Sequence, residues 1–167
     1  MLYWLLVILG AVGLDQLTKW LAVTFLKGGE SFPLWEGVLH FTYVENTGAA
    51  FGSFKDHRWF FMITSTVMIV ALIVYYFAAR PKDWVTVTAL AFITGGGIGN
   101  MIDRIMLGYV VDMFDLLLFD YPIFNLADCF VVVGAILGSI YYLWLYEKYD
   151  APKKESADGT EDPAGDN

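Results

Sequence analysis

The chain has 167 residues, of which 57% are hydrophobic and only 17% charged, and its formal net charge is −8. Soluble domains usually carry about 25% charged residues, so this composition excludes an ordinary water-soluble enzyme and points to one membrane-embedded domain. Residues 150–167 hold six acids against two lysines, which is half of the net charge, and no basic stripe offers nucleic acid a footing.

Four stretches, 2–14, 59–79, 84–102 and 129–146, are apolar and free of charge. About 20 such residues cross a bilayer as a helix, so the chain reads as a polytopic membrane protein. The first helix is expected over about 2–26, interrupted by Asp15, Gln16 and Lys19. Its start lacks the positive segment of a cleaved signal peptide, so it is expected to stay as a membrane helix. Residues 27–58 form a polar and aromatic insert. Within it VLHFTYV (38–44) has the β-branched and aromatic content of a strand, and ENTGAAFG (45–52) reads as a turn of small residues. A second helix over about 59–79 leads through the loop RPKD into a third over about 84–106. A second insert, about 107–122, is apolar enough to lie along the membrane surface, and a fourth helix follows over about 123–146. The tail from 150 to 167 is polar, contains Gly and Pro and lacks aromatics, as disordered segments do. The expected fold is therefore an all-α membrane domain over 1–149, with four transmembrane helices and a small extracytoplasmic β-rich insert.

Orientation follows from the short-loop cations. Arg80, Lys82, Lys148, Lys153 and Lys154 fall on one side, against Lys27, Lys55 and Arg58 on the other, with Arg104 at its edge. This bias puts both termini in the cytoplasm and both inserts outside. Trp20, Trp35, Trp59, Trp84 and Trp144 fall near the predicted helix ends, where an aromatic belt belongs. No internal repeat of the transporter kind is apparent.

Several chemistries find little support. Cys129 is the single cysteine, so no disulfide forms within one chain. His40 and His57 stand apart and neither HExxH nor CxxC occurs, so no metal or other cofactor is expected. Ser–Lys catalysis has one candidate pair, Ser53 and Lys55, in a polar turn.

Ionisable groups break the apolar rule at four places. A charge at bilayer depth costs about 2.5–3.5 kcal/mol on insertion scales, so each needs a partner or a function. In DQLTK (15–19), Asp15 and Lys19 are four residues apart on one helix face. Such a pair either packs helix 1 against its neighbours or serves a site directly. In GGGIGNMIDR (95–104) the glycine spacing is not that of a nucleotide-binding loop. The run lies inside a membrane helix, where glycines permit close helix approach. Asn100, Asp103 and Arg104 share its end, either as an interfacial Asp–Arg pair or as part of a site. In YVVDMFD (109–115), Asp112 and Asp115 occupy the second insert, where an acid in a loop is often merely exposed, and for Asp115 that reading is kept. In FNLAD (124–128), Asn125 and Asp128 open helix 4, where a carboxylate also caps free N–H groups.

The third helix ends, and the fourth begins, on the same side of the membrane, so Asp112 and Asp128 lie at one depth and can converge. Two adjacent carboxylates share a proton. The ionised one takes a proton from water while the protonated one donates to a carbonyl, which is the acid–base logic of an aspartic peptidase. A proton relay through Asp15, Lys19, Asp103 and Arg104 in a small carrier is the rival from another class, and a non-catalytic scaffold is a third. Against the carrier, the acids gather at one face.

The ordered motifs DQLTK, ENTGAAFG, GGGIGNMIDR, VVDMF and FNLAD resemble those of the lipoprotein signal peptidases (signal peptidase II), over nearly the whole chain up to about Tyr146. The resemblance implies that Asp112 and Asp128 are the catalytic pair. It matches Asn46 and Gly48 to a substrate-side loop and Asp15, Asn100, Asp103, Arg104 and Asn125 to polar positions around the site, with Lys19 expected beside them as the partner of Asp15. It implies a bacterial cytoplasmic-membrane enzyme, expected as a monomer among membrane lipid, with its site near the outer face. The implied substrate is a prolipoprotein whose lipobox cysteine already carries diacylglycerol, cut just before that cysteine. The acidic tail lies outside the family pattern.

Overall fold

The computed structural model describes residues 1–48 and 58–145. The turn residues 49–52, Ser53, Lys55, His57 and the acidic tail lie outside the described residues. Four helices are present: α1 (Leu2–Phe25), α2 (Arg58–Ala79), α3 (Trp84–Met106) and α4 (Leu126–Ile140), the last running into a wider π-helical turn, Tyr141–Leu145. All four spans are long and apolar enough to cross a membrane. Helix α1, at ~1.5 Å per residue, is about 36 Å long, enough to exceed a hydrocarbon core of ~30 Å.

Helix α3 is the centre of the bundle. More than half of its most apolar window, 56%, is buried, against 6% for α2, and it packs on all three other helices. Lipid is as apolar as leucine, so helices in a bilayer associate through close packing rather than hydrophobic exclusion. The small residues of α3 supply that packing. A Cβ at Gly96 would collide with the Ala127 carbonyl oxygen and come within 2.9 Å of Val131 Cγ2 on α4. A Cβ at Gly99 would collide with the Asp15 carboxylate on α1. The outward surface of α2, with Ile63, Val67 and Val74 about 60% exposed, is left to lipid.

Where α1 and α3 end and α2 and α4 begin, a three-stranded antiparallel sheet covers the bundle: β1 (Phe32–Trp35), β2 (Leu39–Asn46) and β3 (Val110–Leu116), in the order β1-β2-β3. The first hairpin turns through Gly37 at φ +73°, a conformation that glycine adopts at no steric cost. The strand predicted from VLHFTYV is β2. Strand β3 differs from expectation: the second insert does not simply lie along the membrane but pairs with the first, Val44 opposite Asp112 and Asn46 opposite Val110. An extra residue in β2 between Phe41 and Val44 makes a bulge beside this pairing. On the bundle side, Val111 and Met113 pack with Ala22 of α1.

Helix α4 starts three residues later than expected. Phe124 is held extended by an isolated bridge to β3, its N–H donating to the Phe114 carbonyl at 3.1 Å and its carbonyl accepting from Phe114 N–H at 2.8 Å. Asn125 is then the extended N-cap. Backbone pairing to the sheet thus outcompetes an earlier helical turn.

Replacement of Gly96 by Ala is expected to destabilise the bundle by about 1–3 kcal/mol through forced separation of α3 and α4. Gly13→Ala, with nothing within 4 Å of its new Cβ, is expected to be neutral or to stabilise by up to ~1 kcal/mol. Thermal unfolding in detergent separates the two, and equal behaviour would contradict the packing argument.

Candidate active site

Lys19 lies inside the bundle, 3% exposed, and its ammonium has three acceptors for its three protons. Nζ meets Asp15 Oδ2 at 2.9 Å, Asp103 Oδ2 at 3.0 Å and Asn100 Oδ1 at 2.8 Å. The Asp15–Lys19 pair expected from the spacing is present, and it is completed by α3. Asp15 also accepts the Ala127 N–H at 2.9 Å, fastening the first turn of α4 to α1. Asp103 accepts the Val111 N–H at 3.0 Å, fastening β3 to α3. The Asp103–Arg104 pair considered from sequence is corrected here: the ion partner of Asp103 is Lys19. Adjacent helical residues point about 100° apart, so Arg104 turns away, its guanidinium 5.4 Å from the centre of the Phe61 ring.

From this base a chain of amides reaches two further aspartates. Lys19 has no acceptor, so Asn100 must present its oxygen there and its NH2 elsewhere. Asn100 Nδ2 donates to Asp128 Oδ1 at 2.8 Å. Asn125 and Asp128 form a capping box, with Asp128 N–H donating to Asn125 Oδ1 at 3.0 Å and Asn125 N–H donating to Asp128 Oδ2 at 3.2 Å. That fixes the Asn125 amide, whose Nδ2 donates to Asp112 Oδ1 at 2.6 Å. Asn46, its oxygen held by the Gly48 N–H at 3.0 Å, donates through Nδ2 to Asp112 Oδ2 at 2.8 Å. Asn46 reaches Asp112 as a diagonal cross-strand neighbour on one sheet face. Every oxygen of both carboxylates therefore has an N–H donor.

Asp112 and Asp128 line one cavity of about 350 Å³, together with Asn46, Gly48, Phe61 and Arg104. Burial pushes the Asp112 carboxyl up to about 6; the Asn46 amide opposes the rise and the nearby Asp128 charge adds to it. Asp115, left aside in the sequence reading, accepts from Thr42 Oγ1 at 3.0 Å and is not among the residues lining this cavity. Among the described residues no three of His, Cys, Asp and Glu converge as a metal site needs.

The structure thus brings together all ten residues singled out from sequence: Asp112, Asp128, Asn46, Gly48 and Arg104 on the cavity, Asn100 and Asn125 beneath it, and Asp15, Lys19 and Asp103 behind. Sequence reasoning missed Gln16, whose Nε2 donates to Asp103 Oδ1 at 3.0 Å and to the Gly99 carbonyl at 3.2 Å. A polar residue beside Asp15 was its visible signal. Phe61 and Phe124, which wall the cavity, carried none, because an aromatic in an apolar run looks like any lipid-facing residue.

A membrane helix bundle that turns two aspartates into one cavity is the architecture of a membrane aspartic peptidase. The sequence profile of signal peptidase (SPase) II matches residues 7–144. The lipoprotein signal peptidase of Halothermothrix orenii is 45% identical over 143 residues, 86% of this chain and 96% of that protein. That of Streptococcus pyogenes is 43% identical over 140 residues, 83% of this chain and 90% of that protein. A bacterial membrane enzyme solved by the in meso method superposes with a TM-score of 0.81 at 31% identity, covering 93% of this chain and 94% of that one. The chain belongs to the signal peptidase II family.

Two outcomes are expected of the site. Lys19→Met leaves two buried carboxylates without their cation and is expected to cost about 3–5 kcal/mol, read as lost thermal stability in detergent. The second concerns pH. The folded Asp112 value lies above its ordinary 3.8, so the folded state binds that proton more tightly than the unfolded state. Its stabilising contribution is full below pH ~4 and is lost as pH rises through about 6. The melting temperature of the native chain minus that of Asp112→Asn should accordingly fall between those values and stay flat above. A difference that grows with pH would contradict the assignment.

Proposed function

We propose that this chain removes the signal peptide from bacterial prolipoproteins whose lipobox cysteine carries diacylglycerol, cutting just before that cysteine with Asp112 and Asp128 as the catalytic pair. The observation that carries the reading is the shared cavity: two carboxylates from different elements, both held by amides whose orientation is already set. The ionised aspartate takes a proton from water, the protonated one donates to the scissile carbonyl, and water adds without a covalent enzyme intermediate. The proton then passes to the leaving amine. Neighbouring carboxylates titrate as a pair, so the shared proton belongs to both.

The cavity lies where the helices meet the sheet, the depth at which a lipid-anchored peptide arrives from the bilayer. With both termini in the cytoplasm, as the loop cations favour, that end faces outward and the site stands near the outer surface. The carrier reading loses its basis in Lys19. An ammonium whose three protons are all taken, by groups that also hold helices and strands together, suits a structural lock better than a relay.

Asp112→Asn and Asp128→Asn are each expected to slow cleavage by roughly 10²–10⁴-fold while the protein still inserts. Lipid-modified, uncleaved prolipoprotein should accumulate, as an immunoblot of a reporter lipoprotein would record. Retained cleavage by either variant would sink the dyad.

A further inference from the structure

At the end of the bundle away from the sheet lies a groove of about 610 Å³ between the close of α2, the start of α3 and the π-helical turn after α4. Thr86 in its wall and Arg104 at the peptidase cavity are separated along α3 by about 27 Å, at ~1.5 Å per residue. That is close to the hydrocarbon thickness of ~30 Å, so the groove sits at the opposite headgroup layer. Its chemistry changes with depth. Leu90, Ile93 and Gly138 make an apolar floor, and Arg80 and Lys82 stand on the rim.

These two cations are exposed, and neither has a carboxylate partner among the described residues. The one acid in the lining, Asp83, spends Oδ1 on the Thr86 N–H at 2.6 Å as the N-cap of α3. Thr86 Oγ1 is buried and makes no hydrogen bond. Arg80 holds φ at +47°, the left-handed region, just past the last residue of α2. Glycine is the usual residue there, and here the position is occupied by a long cation in a strained backbone conformation. Tyr142, 72% exposed, stands on the facing side, as amphipathic aromatics do at headgroup level.

We propose that this groove binds an anionic glycerophospholipid of the bilayer, with the phosphate on Arg80 and Lys82 and an acyl chain along Leu90 and Ile93. Basic pockets between membrane helices take anionic headgroups in this manner. A soluble anion would have no use for the apolar floor, and a zwitterionic lipid would bring its own cation against the two on the rim. The groove is independent of the aspartate pair, so its occupancy does not depend on the peptidase assignment.

The test is native mass spectrometry of the purified full chain in detergent, titrated with phosphatidylglycerol or with phosphatidylcholine of the same acyl chains. Retention of phosphatidylglycerol is expected to exceed that of phosphatidylcholine by about tenfold. The double variant Arg80→Gln/Lys82→Gln should abolish the preference while unfolding in detergent at the native temperature, which certifies its fold. Equal retention of the two lipids overturns the proposal, as does a preference that survives the double substitution. A preference that emerges only after removal of residues 150–167 overturns it too, because the acidic tail would then be the occupant.

Discussion

The structure depends on one buried ammonium. Lys19 is anchored by Asp15 from its own helix and by Asp103 and Asn100 from α3, and each of these three has a second task. Asp15 holds the first turn of α4, Asp103 holds β3, and Asn100 holds Asp128. An ion cluster in a low-dielectric interior is costly unless every proton and lone pair is matched. Here the matching partners belong to four different elements, so satisfying the charge and assembling the fold are one event. This is conformational specificity obtained from polar groups, in an environment where apolar contact cannot supply it because the surrounding lipid is equally apolar.

The same cluster prepares the aspartates. The side-chain amides of Asn46, Asn100 and Asn125 each turn their oxygen toward a group that can only donate, a backbone N–H or an ammonium, which leaves every NH2 aimed at a carboxylate. None can flip without losing a hydrogen bond, so the donors are oriented before substrate arrives, and preorganised donors cost no reorganisation during reaction. Counting outward from Lys19, four carboxylates, three of them buried, face two cations, Lys19 and Arg104. Burial raises the Asp112 carboxyl to about 6, and the neighbouring Asp128 charge adds to the rise. Asp128 accepts the Asn125 N–H in the capping box of α4 and still lines the cavity, so capping the helix is compatible with the role proposed for it.

The two ends of α3 have different chemistry. Toward the sheet, Gly96 and Gly99 admit the α4 backbone and the Asp15 carboxylate, and the polar network fills the space they leave. Toward the other end apolar and aromatic contact predominates, with Trp4 stacked on Tyr76 at 4.2 Å between ring centres and one hydrogen bond, Tyr3 Oη to Thr88 Oγ1 at 2.7 Å, joining α1 to α3. The polar end carries the aspartates, and the groove opens at the other end.

The sequence by itself determined the four helices, the strand in the first insert and the residues of the site. Membrane spans are read from uninterrupted apolar runs, and an ionisable side chain inside one stands out because its burial is costly. That is why Asp15, Lys19, Asp103 and Asp128 were visible, and why Asp112 stood out in an apolar insert. Tertiary structure decided who pairs with whom. Asp103 chose Lys19 over Arg104 because adjacent helical positions diverge, and VVDMFDL became a strand only because β2, more than sixty residues earlier, offered it an edge. The late start of α4 was settled likewise by the bridge between Phe124 and Phe114. Local sequence records the cost of burying a polar group, whereas the partner that offsets it lies on another element, and only the folded chain brings the two together.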